Sequence, residues 1–134
     1  MQINTSDQVY SFHYACVLVP HSPSHQLKNG IAESLPLWIE EICARYEWKK
    51  EFIIIDPAYL QWGIQVDSRV QINQFVKTIR SETSSLILQG NQNLRGKIEN
   101  DFWAPGYLVV FGAYPRSKEM VEQYIRLARR CREE

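Results

Sequence analysis

Tyr124 and the arginines that follow it are the residues whose types and spacing suggest chemistry. Met120, Val121, Tyr124, Ile125, Leu127, Ala128 and Cys131 recur at helical spacing, with Arg126, Arg129, Arg130 and Arg132 outside that face. Two readings fit. In one, this is a packing helix with a solvated basic side, and Tyr124 is a core aromatic with its hydroxyl at the rim. In the other, the phenol attacks a phosphodiester while arginines hold a nucleic-acid backbone. Lys77 and Arg80, with Arg69, form a second set of cations able to follow a phosphate chain, or simply to be solvated.

Metal and disulfide chemistry have less support. Cys16, Cys43 and Cys131 are odd in number, far apart and without a CxxC pair, so each reads as a small buried hydrophobe. His13, His21 and His25 lie in or near the first apolar run and the loop after it, and read as surface or edge residues. Fifteen basic residues balance fifteen acidic ones, which excludes a bulk field directed at nucleic acid. The balance is uneven along the chain. Residues 1–66 carry net −3 and residues 67–134 net +3, so a polyanion site belongs mainly to the second half.

Elements that would position these residues follow from periodicity. Residues 1–9 are polar and read as loose. Residues 13–19 form a strand stopped by Pro20, and residues 20–30 a loop. Ser34 and Pro36 read as the cap and first turn of a helix over 34–46. Residues 51–56 form a strand buried on both faces, and 59–66 pair with it through the turn at Asp56-Pro57-Ala58. Ser68 opens a second helix running to about residue 89. Residues 90–102 read as a surface loop, 107–113 as the last strand, and Ser117 as the cap of the final helix.

The order β-α-β-β-α-β-α predicts an α+β domain spanning 1–134. The expected fold is a ferredoxin-like split βαβ, with a four-stranded antiparallel sheet, two helices on one face and an extra C-terminal helix. Trp38 and Trp62 read as core or interface residues, and Trp103 as a packing residue in preference to a base-stacking one. The apolar run 14–20 is too short to span a bilayer and has no basic segment before it, so no membrane partner and a cytoplasmic location are expected.

Four segments then matter in combination: Asp56-Pro57-Ala58-Tyr59-Leu60-Gln61-Trp62, residues 70–84, Phe102-Trp103-Ala104-Pro105-Gly106-Tyr107 with the strand after it, and Glu119-Met120-Val121-Glu122-Gln123-Tyr124-Ile125. In this order, over about 13–130, they resemble the IS200-like single-tyrosine HUH transposases of small insertion sequences. The resemblance implies DNA transposition and recombination by a homodimer formed by joining sheets. It also implies binding of hairpin-ended single-stranded DNA, and cleavage through a 5′-phosphotyrosine on the last helix, at Tyr124. Arg126, Arg129, Arg130, Lys77 and Arg80 are then the expected DNA contacts.

The family's Mg²⁺ or Mn²⁺ ligands do not carry over. Two histidine positions fall on Tyr59 and Gln61, the aspartate before the first on Ala58, and a glutamine position on Ala128. Hard cations need oxygen or imidazole donors. No bound metal is therefore expected, and catalysis is expected to be impaired. Lewis-acid stabilisation is worth several kcal/mol, so its loss slows cleavage on the order of thousands-fold. Pro20-His21-Ser22-Pro23 also replaces a basic stretch of the family. The alternatives are an active single-strand DNA transposase using Tyr124 with an atypical metal site, and a dimeric interaction module without enzymatic activity.

Overall fold

The computed structural model describes residues 10–22, 25–91 and 101–133, with side chains to Arg129 in the last helix. The expectations for 1–9, for most of the 90–102 loop and for the Arg130, Cys131 and Arg132 side chains lie outside the described residues.

Four strands, β1 (Ser11–Leu18), β2 (Lys49–Asp56), β3 (Tyr59–Asp67) and β4 (Leu108–Phe111), form one antiparallel sheet in the order β2-β3-β1-β4. β1 pairs with β3 on one side and β4 on the other. β3 thus fills the gap between β1 and β2, the split βαβ arrangement read from the element order. Helices α1 (Gly30–Arg45), α2 (Ile72–Gly90) and α3 (Lys118–Glu133) complete the α+β domain.

Strand alternation gives the sheet two differently covered faces. Cys16, Leu18, Leu60, Trp62 and Ile64 point into the main core, where Leu35, Ile39 and Ile42 of α1 meet Phe75, Val76 and Ile79 of α2. Val17, Val19 and Tyr59 point the other way, against Val121 of α3. Covered on both sides, β3 is buried through its centre rather than on alternate residues.

Several sequence expectations need correction. α1 begins at Gly30, not Ser34, and contains Pro36, because Ile31 packs on the core and extends the helix upstream. α2 begins at Ile72. Ser68 instead accepts a hydrogen bond from the Tyr10 backbone, while Asp67 organises the turn by accepting from Arg69 N–H at 2.8 Å. β2 is only half-buried because it is an edge strand. The surface loop expected over 90–102 does not hold at its end, where Phe102 is buried, as are Trp103 and Ala104 after it. His25, read as a surface residue, is buried and stacks on Phe102 at 6.2 Å between ring centres. Among the described residues, no helix is long and apolar enough to cross a membrane.

Candidate functional site

Three elements position Tyr59, Gln61 and Tyr124 about the sheet face opposite α1 and α2, whereas Lys77 and Arg80 lie on α2 itself. Asp56-Pro57-Ala58 makes the first turn, in which Asp56 Oδ2 accepts from the Ala58 N–H at 2.9 Å. That tight turn sets the register that places Tyr59 and Gln61 on this face. The segment 101–106 crosses from the main core, where Phe102 and Trp103 pack, to this face, where Ala104 joins the cluster around Val121. Phe102 N–H donates to Ser84 Oγ at 2.8 Å, Trp103 Nε1 donates to Thr83 Oγ1 at 3.0 Å, and Ala104 N–H donates to Val19 O at 2.7 Å. The packing reading of Trp103 is the observed one.

Helix α3 is the third element. Ser117 caps it, accepting from the Met120 N–H at 3.2 Å, as expected. Val121 is fully buried beneath it, and Tyr124 and Ile125 pack at the edge of the same apolar cluster. Tyr124 is half-buried, with its hydroxyl directed toward Gly106; a methyl group there would lie 3.8 Å from the phenol oxygen. Tyr59 and Tyr124 therefore share one cluster, and Gln61 lies one alternation further along β3.

The cations divide by role. Arg80 makes an ion pair with Asp101 at 2.9 Å and donates to the carbonyls of Ala104 (2.7 Å), Gly106 (3.0 Å) and Trp103 (3.4 Å). Arg129 donates to the carbonyls of Pro20 (2.9 Å) and His21 (3.2 Å). Both arginines are internal clamps, and their geometry is that of framework rather than of a free phosphate contact. Lys77 and Arg126 are exposed. Sequence reasoning missed the clamps because nothing local distinguishes an arginine that binds carbonyls from one in solvent.

Tyr59, Gln61 and Ala128, the positions that the resemblance equates with cation ligands, do not fit a cation. Tyr59 is buried, and burial, with the nearby Asp56 and Glu122 carboxylates, pushes its phenol above the ordinary range. That opposes the phenolate a hard cation prefers. Gln61 is 1% exposed and its carboxamide oxygen already accepts from the Arg116 N–H at 2.7 Å. Ala128 carries only a methyl group. Among the described residues, no three His, Cys, Asp or Glu side chains gather as metal ligands. The Arg116 guanidinium does not take the cation's place beside the phenol. It lies over Gly112, at the opposite end of β4 from Gly106.

No curated protein sequence matches the chain. Among solved structures, it is similar to a candidate transposase from Deinococcus radiodurans R1, with a TM-score of 0.77, 17% identity, and coverage of 96% of this chain and 98% of that one. It is also similar to a REP-associated tyrosine transposase bound to a REP hairpin. There the TM-score is 0.57 and identity 9%, over 85% of this chain and 62% of that one. At these identities the likeness establishes the fold. The family profile described as "Transposase IS200 like" matches residues 8–127, which take in the whole sheet, α1, α2 and α3 through Leu127, and so this chain belongs to the IS200-like transposase family.

Proposed function

We propose that this protein is a DNA-binding member of its family that engages single-stranded or hairpin-ended DNA while its strand-cleaving step is impaired. The observation that carries the reading is the contrast on one sheet face. The candidate nucleophile Tyr124 is retained on α3, whereas Tyr59, Gln61 and Ala128 offer no usable cation shell. The DNA half is supported by family membership, and by a structural neighbour that is a transposase bound to a hairpin. Of the expected phosphate contacts, Lys77 on α2 and Arg126 on α3 are exposed, and Arg130 joins them by sequence position.

The protein acts as a homodimer in this reading, in the cytoplasm. A sheet-joined dimer has two edges to use, β2 and β4, and β4 carries Phe111 at 65% exposure.

An electrophoretic assay with hairpin DNA over a salt series, with and without Mn²⁺, tests the whole reading. Salt-sensitive binding without a covalent adduct is the expected result. An adduct that forms with Mn²⁺ and disappears in Tyr124→Phe would show an active transposase with an atypical site. Absence of binding even at low salt would leave the interaction-module alternative.

A further inference from the structure

We infer that Gln61, which the resemblance equates with a cation ligand, is instead a positioning residue: its carboxamide latches the β4–α3 connection and so holds the tyrosine-bearing helix on its own sheet. Three contacts along α3 build the case. At the start, Gln61 Oε1 accepts the Arg116 N–H at 2.7 Å, two residues before the helix begins. In the middle, Val121 is buried among Val17, Val19 and Tyr59. Further on, Arg129 grips the carbonyls of Pro20 and His21. The first contact is the polar one made by a deeply buried side chain, since Gln61, near the start of β3, is 1% exposed.

The rest of the connection is shaped around that bond. Gly112 adopts φ +131°, a region that side chains rarely enter, and its missing Cβ leaves room for Arg116; a methyl group there would stand 2.8 Å from Arg116 Nη2. Nη2 donates back to the Tyr114 carbonyl at 2.9 Å, closing a compact turn over the sheet. A buried carboxamide oxygen committed to a backbone N–H has little capacity left for a cation, and freeing it would leave a backbone donor unpaired. The Gln61 side chain is thus committed to helix placement rather than to ion binding. This assignment rests on contacts within the chain, so it stands or falls independently of DNA binding.

Hydrogen–deuterium exchange of the full chain without DNA tests it. Gln61→Met keeps the length and apolar stem but removes the acceptor. Faster exchange of the Arg116 amide and the first turn of α3, by about tenfold or more, is expected, with β1 and β3 amides unchanged. Gln61→Glu keeps an oxygen acceptor in either protonation state and restores the protection. Gly112→Ala attacks the same turn from the other side and gives the same local signature, which keeps the test decisive if Gln61→Met fails to fold. Wild-type exchange is expected to be insensitive to millimolar Mn²⁺. Unchanged protection of Arg116 in Gln61→Met, or protection of this turn by Mn²⁺ in the wild type, overturns the inference.

Discussion

At the scale of single residues, burial decides which reactive groups remain reactive. Cys16 is completely buried, and desolvation pushes its thiol far above the ordinary range; that of Cys43 is pushed up to about 11, mainly by burial and secondarily by Glu40. The thiolate is the nucleophile, so both cysteines are expected to resist thiol reagents at pH 8. In a Cys131→Ser variant, a chromogenic disulfide reagent should titrate almost no thiol in the native protein and two after unfolding. Rapid native labelling of either would contradict the buried-hydrophobe reading. Tyr59 follows the same physics: hidden from water and facing Asp56 and Glu122, it stays a neutral phenol.

Arg80 is the most consequential side chain at the scale of elements. Its planar fork gathers Asp101 and three carbonyls of the 103–106 segment, and that segment carries Gly106 beneath the Tyr124 hydroxyl. Removing it leaves carbonyls and a carboxylate without their donor. Arg80→Ala is expected to cost about 2–3 kcal/mol of stability, read from the urea midpoint. Arg80→Lys should recover little of this, because a point charge cannot reproduce the fork. A loss below roughly 0.5 kcal/mol, the usual range for a surface substitution, would mean the clamp is incidental.

These contacts also show where sequence reasoning succeeds. The aromatic segment at 102–103 was legible as packing in Trp103, because Trp beside Pro105-Gly106 and a following strand is a packing context. Its burial as a wall of the sheet was not legible, since the polar residues around it read as a loop. Likewise, α1 and α2 were legible from apolar periodicity, but their first turns were not. Ser34 and Ser68 look like caps locally, while tertiary packing of Ile31 and the Asp67 turn set the true starts.

The whole molecule inherits a pH response from its buried thiols and phenols. Burial raises the Cys43 thiol on folding from its ordinary value of 9.0 to about 11, so between these values the unfolded state holds fewer protons than the native state. Stability is then full below about pH 9 and declines as pH rises toward 11. Cys16, Tyr14 and Tyr59, all shifted upward mainly by burial, act in the same direction. The urea midpoint is expected to fall steadily from pH 8.5 to 10.5, and a flat profile would show that these groups do not remain protonated in the folded protein.

By itself, the sequence determined the order of elements, the ferredoxin-like sheet and the family, because apolar periodicity and short motifs are local properties of the chain. It also limited what Tyr59, Gln61 and Ala128 can offer a cation, since residue identity alone sets what a side chain can donate. Only the tertiary structure decided what these positions do instead. It buried Tyr59 between α3 and the sheet, committed the Gln61 oxygen to Arg116, and turned Arg80 and Arg129 from candidate phosphate contacts into carbonyl clamps. The partners of a polar side chain are chosen by segments distant along the chain, and those meet only when the fold closes.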